Sequence, residues 1–131
     1  MRMHSINPQA RNILEHIISK IPETGHLKLE KPSIAIMPLS VEWIGNRTLS
    51  ISHFYIQNGD LMRDPEVTFY KSGNSYFPAT YQQDNLGLYQ EAILFDEQGT
   101  PERFNPKLQK SLVEFVDSWF ENIVWQFDIK I

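Results

Sequence analysis

The chain has 131 residues, 41% hydrophobic and 21% charged, with 12 Lys and Arg against 16 Asp and Glu, for a formal net charge of −4. A length of this order supports one domain that buries roughly two-thirds of its unfolded surface, enough for a self-sufficient core. The absence of Cys excludes disulfides, Cys-ligated zinc, iron–sulfur clusters and thiol catalysis.

The N-terminal stretch is broken by Arg11, Glu15, His16 and Lys20, so it contains no continuous apolar core of a signal peptide. No uncharged run approaches the roughly 20 residues needed to cross a bilayer. A soluble, cytoplasmic protein is expected. Its charge is uneven: residues 1–55 carry +2, residues 56–104 carry −5 and residues 105–131 carry −1. An acidic domain without a Lys/Arg cluster lacks the electrostatic footprint of nucleic-acid binding, so direct contact with DNA or RNA is not expected.

In chain order, Asn7-Pro8 predicts a helix start, with Asn7 as the cap and Pro8 at the first helical position. Ile13, Leu14, Ile17, Ile18 and Ile21 follow at helical spacing until Pro22, which predicts about four amphipathic turns. Thr24 to Pro32 reads as a loop. Ser33 to Trp43 is rich in strand formers but interrupted by Pro38, which predicts an edge strand or one ending at the proline.

Leu49 to Gln57 alternates, with Leu49, Ile51, His53 and Tyr55 on one parity and Ser50, Ser52, Phe54 and Ile56 on the other. Asn58-Gly59 then predicts a tight hairpin turn. Further strands are predicted at Val67 to Lys71, Tyr76 to Gln83 and Leu88 to Phe95. The short turns between them require antiparallel pairing. Residues 96–104 read as a polar loop.

Asn105-Pro106 repeats the Asn-Pro start. Leu108, Leu112, Phe115, Val116, Trp119, Phe120 and Ile123 then cluster within about 120° on a helical wheel, the face of a helix laid against a sheet. Trp125 falls about 160° from that cluster. It is exposed if the helix continues, and folds back onto the core if the helix ends near Ile123. The fold expected is α+β: a single domain with an antiparallel sheet of four to five strands, and an N-terminal and a long C-terminal helix packed on one face.

The segment from His53 through Tyr55, Gln57, Asn58, Gly59 and Asp60 to Asp64-Pro65-Glu66 resembles a family of uncharacterised bacterial domains encoded largely on plasmids, integrative conjugative elements and phages. That family shows His-x-Tyr-x-Gln-Asn-Gly-Asp followed by Asp-Pro-Glu. Tyr81-Gln-Gln-Asp84 with Leu88-Tyr-Gln-Glu91 is similar to its second segment, and Trp119 to Gln126 to its third. The resemblance spans about residues 35–127. It implies a mobile-element setting and carries no catalytic assignment.

Two functional readings follow. In the first, the chain is a small non-enzymatic interaction domain of accessory or anti-defence type. An acidic, Tyr-rich sheet face would bind a protein partner, such as a basic nucleic-acid-binding protein, through Tyr55, Asn58, Asp60, Asp64, Glu66, Tyr81, Asp84, Tyr89 and Glu91, with Trp125 as a partner or homodimer patch. In the second, Asp60, Asp64, Glu66 and Glu91 hold Mg²⁺ or Mn²⁺ and His53 acts as base in a hydrolase or phosphodiesterase. Turn chemistry alone also asks for Asn58, Gly59, Asp60 and Asp64-Pro65 at these places.

A restriction-type nuclease core is not supported, because neither Glu91-Ala92-Ile93 nor Glu66-Val67-Thr68 supplies the required Lys. His4, His16 and His26 show no metal-ligand spacing. No nucleophile elbow, Walker loop or dinucleotide fingerprint is present, and no cofactor is expected.

Overall fold

The computed structural model describes residues 2–33 and 35–131; Met1 and Ile34, the latter within the Ser33 to Trp43 run, lie outside the described residues. The chain runs through helix α1 (Pro8–Ile18) and strands β1 (His26–Leu29), β2 (Leu39–Trp43), β3 (Thr48–Gln57), β4 (Asp60–Ser72) and β5 (Ser75–Gln83). A 3-10 turn at Asp84–Leu86 leads to β6 (Leu88–Glu91), β7 (Ile93–Phe95), β8 (Pro101–Phe104) and helix α2 (Pro106–Gln126). Strands β1 to β6 form one antiparallel sheet in sequential order, while β7 and β8 pair as a separate hairpin. The fold is α+β, with more strands than the sequence predicts.

Both helices begin as the Asn-Pro pairs require. The Asn7 side chain accepts from the Ala10 amide at 2.7 Å and Asn105 accepts from the Leu108 amide at 3.0 Å, satisfying amides that the first turn leaves free. α1 ends earlier than Pro22 demands. The Asn58-Gly59 turn is observed, with φ of +53° and +83°, the positive values that a two-residue hairpin loop needs.

The helices pack on the same face of the sheet. Ile13, Leu14 and Ile17 from α1 and Val116, Trp119, Phe120 and Ile123 from α2 form one cluster with Leu39, Val41, Leu49, Ile51, Val67 and Phe69. These are the odd-numbered positions of β2, β3 and β4, which period-2 alternation turns to one side. Phe69 and Phe120 meet at 5.8 Å between ring centres. Each fully buried Leu, Ile or Phe contributes about 2 kcal/mol.

Several predicted boundaries differ. Thr24 to Pro32 contains β1, because Leu27 and Leu29 alternate towards the core and pair with Val41 and Leu39 of β2. β2 begins just after Pro38 and lies inside the sheet rather than at its edge. β4 runs back to Asp60, directly opposite Gln57. The run from Leu88 to Phe95 divides at Ala92, whose amide donates to Ala79 and whose carbonyl accepts from Asn105. Its second half pairs with β8, in the stretch that reads as a polar loop.

Candidate functional site: the open face of the sheet

With both helices on the odd-numbered face, the other face is uncovered by either helix. Antiparallel register aligns its side chains in rows across the strands. One row runs Lys28, Ser40, Ser52, Glu66, Gln82 and Tyr89, crossing all six strands. The next runs His26, Glu42, Ser50, Thr68, Thr80 and Glu91. Every position in both rows is polar. One end of this face is closed by the β7–β8 hairpin, where Phe95 packs on Tyr70 at 5.6 Å.

Side-chain length gives the open face its shape. Ser50, Ser52 and Thr68 are 6 to 7% exposed although no helix overlies them, because short hydroxyl side chains sink below longer neighbours. Around the two serines lies a groove of about 440 Å³, walled by His26, Glu42, Phe54, Leu61, Arg63 and Glu66. The hydroxyls are engaged: Ser50 donates to Glu66 at 2.6 Å, Ser52 to the His53 carbonyl at 2.9 Å, and Thr68 and Thr80 bond each other at 2.5 Å.

A register shift between Ser52 and Phe54 shapes the acidic side of the groove. Ser52 pairs with Glu66 and Phe54 with Arg63, so β4 spends one extra residue and Arg63 shares a face with Glu66. Arg63 donates its backbone N–H and its Nε to Asp84 Oδ2, both at 2.9 Å, and its Nη1 lies 3.7 Å from Glu66. Gln82 donates to Asp84 Oδ1 at 3.0 Å. Burial pushes the Asp84 carboxyl up, but the Arg63 amide and guanidinium together with Gln82 hold it below its ordinary value. The same Asp84 contact raises the Arg63 guanidinium.

Beyond these pairings the β3–β4 hairpin outruns its neighbours. β2 pairs with β3 as far as His53, and β5 pairs with β4 as far as Glu66. Residues 55–62 therefore project as a two-stranded arm, with Phe54 and Arg63 at its base held by Pro38 and Asp84. Ile56 and Leu61 face each other across it and are 62% and 55% exposed. An apolar cross-strand pair left open on a hairpin marks a contact surface.

The carboxylates of the alternative metal-site reading are not brought together. Asp60 stands at the arm's tip and Glu66 six residues along the same strand, roughly 20 Å away at strand rise. Glu91 lies two strands further, opposite Thr80. Among the described residues no group of three or more His, Asp or Glu is placed to hold a metal ion. His53, the base of that alternative reading, lies in the core. Its odd position turns it under α2, where it is 4% exposed. Nδ1 accepts from Trp119 Nε1 at 3.0 Å, so Nε2 carries the proton and donates to Gln126 Oε1 at 3.1 Å. Neither nitrogen retains a lone pair for a substrate. Burial lowers the His53 pKa below 6.5, against the opposing effects of Gln126 and Asp64.

The expected Tyr-rich face is also corrected, because the tyrosines do not share a side. Tyr76 is buried in the main core and Tyr70 beneath the β7–β8 hairpin. Tyr81 packs edge-on against Phe115 at 5.7 Å, on the helix side. Tyr55 pairs with Met62 on the helix-side parity of the arm, which leaves Tyr89 as the tyrosine of the open rows, 55% exposed. Asn58 serves the hairpin turn. α2 continues to Gln126 and Trp125 is 79% exposed on its outer side.

Of the predicted binding residues, the structure brings Glu66, Asp84, Tyr89 and Glu91 to the open face or its margin. Sequence reasoning missed His26, Lys28, Ser40, Glu42, Ser50, Ser52, Arg63, Thr68, Thr80 and Gln82. The signal was present in the Ser50-x-Ser52 alternation.

No helix among the described residues is long and apolar enough to cross a membrane. Searches of curated proteins and of solved structures return no match. A family model described as a domain of unknown function, DUF6908, matches residues 2–127. That match takes in α1, the whole sheet, the β7–β8 hairpin and α2, and the chain belongs to this family of domains of unknown function.

Proposed function

We propose that the chain is a non-enzymatic interaction domain that receives a protein partner on the open face of its sheet, with the β3–β4 arm as an apolar anchor beside it. The observation that carries this reading is the pair of six-residue polar rows left uncovered by either helix, with a groove of about 440 Å³ over their β1 to β4 portion. The occupied nitrogens of His53 and the scattered carboxylates favour binding over hydrolysis.

The partner presents a basic surface. Glu66, Asp84 and Glu91 lie at the open face or its margin, on β4, the adjoining 3-10 turn and β6, with Asp60 at the tip of the arm; Arg63 pairs with Glu66 and Asp84 and leaves Asp60 and Glu91 without a salt bridge among the described residues. Such a field speeds encounter with a cationic protein and fixes its orientation. Ile56 and Leu61 supply the desolvated centre that charge alone lacks. A nucleic-acid-binding protein of a host defence or conjugation system has this chemistry, consistent with the mobile-element setting that the sequence resemblance implies and with action in the cytoplasm.

The test is partner capture by the wild-type chain and two variants. Ser52→Arg fills the groove, and Leu61→Lys places a charge on the exposed arm without touching the core. Both are expected to abolish capture, with the Leu61→Lys chain melting within a few degrees of wild type. Undiminished capture by both variants would refute the reading.

A further inference from the structure

A second concavity lies on the helix side of the sheet. The end of α1, strand β1 and residues 127–130 surround a cavity of about 370 Å³. Part of its lining is apolar: Ile17 from α1, Leu27 and Leu29 from β1, and Phe127 and Ile129 from the segment after α2. Leu27 and Leu29 reach it because they alternate with His26 and Lys28, which occupy the open face.

The wall formed by the C-terminal segment is tied down. The Phe127 amide donates to Ile123 and the Ile129 amide to Val124, both at 3.0 Å. Asp128 adopts a left-handed backbone, φ +52°, and its carboxylate is engaged by Lys31 Nζ at 2.5 Å. Two further cationic side chains, Lys20 and Lys130, border the cavity together with His16. Among the described residues neither Lys20 nor Lys130 makes an ion pair.

The balance of charge is the informative feature. In a chain of formal charge −4, an apolar cavity is bordered by more cations than anions, and its one lining carboxylate is already bonded to a lysine. The volume lies within the roughly 300–1,000 Å³ typical of small-molecule sites, which combine apolar walls with a few polar groups that fix orientation. A cationic guest would meet Lys20 and Lys130 unfavourably. A sugar or nucleotide would find no polar partner on the apolar floor for its hydroxyls or base edges, and burying those groups unpaired is costly.

We propose that this cavity is a binding site for a small apolar carboxylate, a molecule with a hydrocarbon body and a single anionic head. The body lies on Ile17, Leu27, Leu29, Phe127 and Ile129, and the head meets Lys20 and Lys130 at the mouth. Because the ligand bridges α1, β1 and the segment after α2, it stabilises the folded chain by mass action. This site is separate from the open face and does not depend on the partner-binding reading.

The probe is decanoate, kept below its micellar concentration and titrated into the isotopically labelled full chain. Saturable binding of one molecule per chain is expected, with amide shifts centred on Leu27, Leu29, Phe127 and Ile129. The double substitution Lys20→Glu with Lys130→Glu, both at exposed positions, is expected to weaken binding about tenfold, and decyltrimethylammonium is expected not to saturate the wild type. If the double variant folds poorly, Lys20→Gln and Lys130→Gln singly carry the test, each weakening binding about threefold. Equal affinity in wild type and variants, equal binding of the cationic amphiphile, shifts centred on the open face, or no saturation at millimolar decanoate would each overturn the proposal.

Discussion

His53→Leu tests the role the structure gives to the histidine beneath α2. The substitution keeps an apolar body of similar reach but removes both ring nitrogens. Trp119 Nε1–H, on a side chain 6% exposed, is then left without its acceptor at 3.0 Å. Gln126 also loses its donor, but it is half-buried and can turn to water. One neutral hydrogen bond nets about 1 kcal/mol, and a stranded buried donor costs about 1–3 kcal/mol, so a loss of about 2–3 kcal/mol is expected.

Urea unfolding followed by far-UV circular dichroism at pH 7.5 measures that loss. Trp119→Phe strands Nδ1 in turn, and the double variant removes both partners. The double variant is therefore expected to lose less than the sum of the singles, with a coupling of about 1–2 kcal/mol. The pH dependence has a definite sign. Native His53 takes up its proton at a lower pH than the unfolded chain, whose histidine titrates near 6.5. The unfolded state therefore binds more protons as pH falls below that value, and stability declines from about pH 6.5 down to the lowered native pKa. The stability difference between wild type and His53→Leu should shrink over that interval. Wild-type stability in His53→Leu, additive singles, or a constant difference from pH 7.5 to pH 5 would refute the buried neutral imidazole.

Gln109→Leu removes a fully buried amide whose Oε1 accepts from the His4 amide at 2.7 Å and whose Nε2 donates to the Pro78 carbonyl at 3.0 Å. A loss of about 2 kcal/mol is expected, with faster hydrogen exchange at His4 as the local readout. Asp84→Ala removes the acceptor that braces Arg63 and the base of the arm, at a cost of about 1–2 kcal/mol at neutral pH. Because the native Asp84 pKa lies below its ordinary 3.8, this contribution is present above that value and is lost as pH falls through the native pKa. Acid unfolding curves of wild type and Asp84→Ala are expected to converge there.

Local signals that agree with the tertiary structure were legible in the sequence. The two Asn-Pro caps, the Asn58-Gly59 turn and the seven-residue stripe of α2 each specify one conformation by their own chemistry. β1 was not legible because a four-residue edge strand with only Leu27 and Leu29 as apolar positions gives too short a pattern. The first half of β4 was hidden by Asp60, Arg63, Asp64 and Pro65, residues that equally suit a turn. Its pairing comes from the hairpin closing behind Asn58-Gly59.

His53 shows the limit of reading chemistry from residue type. An imidazole near four carboxylates suggests acid–base work, but the alternation that places Leu49 and Ile51 in the core places His53 there as well. Parity outweighed identity. The open face was missed for the converse reason: serines and threonines carry little hydrophobic signal, and only the cross-strand register shows that they form continuous rows. Gln109 was missed because a glutamine on an apolar stripe looks like an interruption until its two backbone partners are known.

Site-directed photo-crosslinking tests the central claim most directly. A photoreactive amino acid is placed at Glu42 on the groove wall, at Leu61 on the arm, or at exposed Glu114 on α2 as control. The open-face account predicts that positions 42 and 61 crosslink to the same partner and that position 114 does not. Crosslinking to that partner from position 114, with none from 42 or 61, would contradict it.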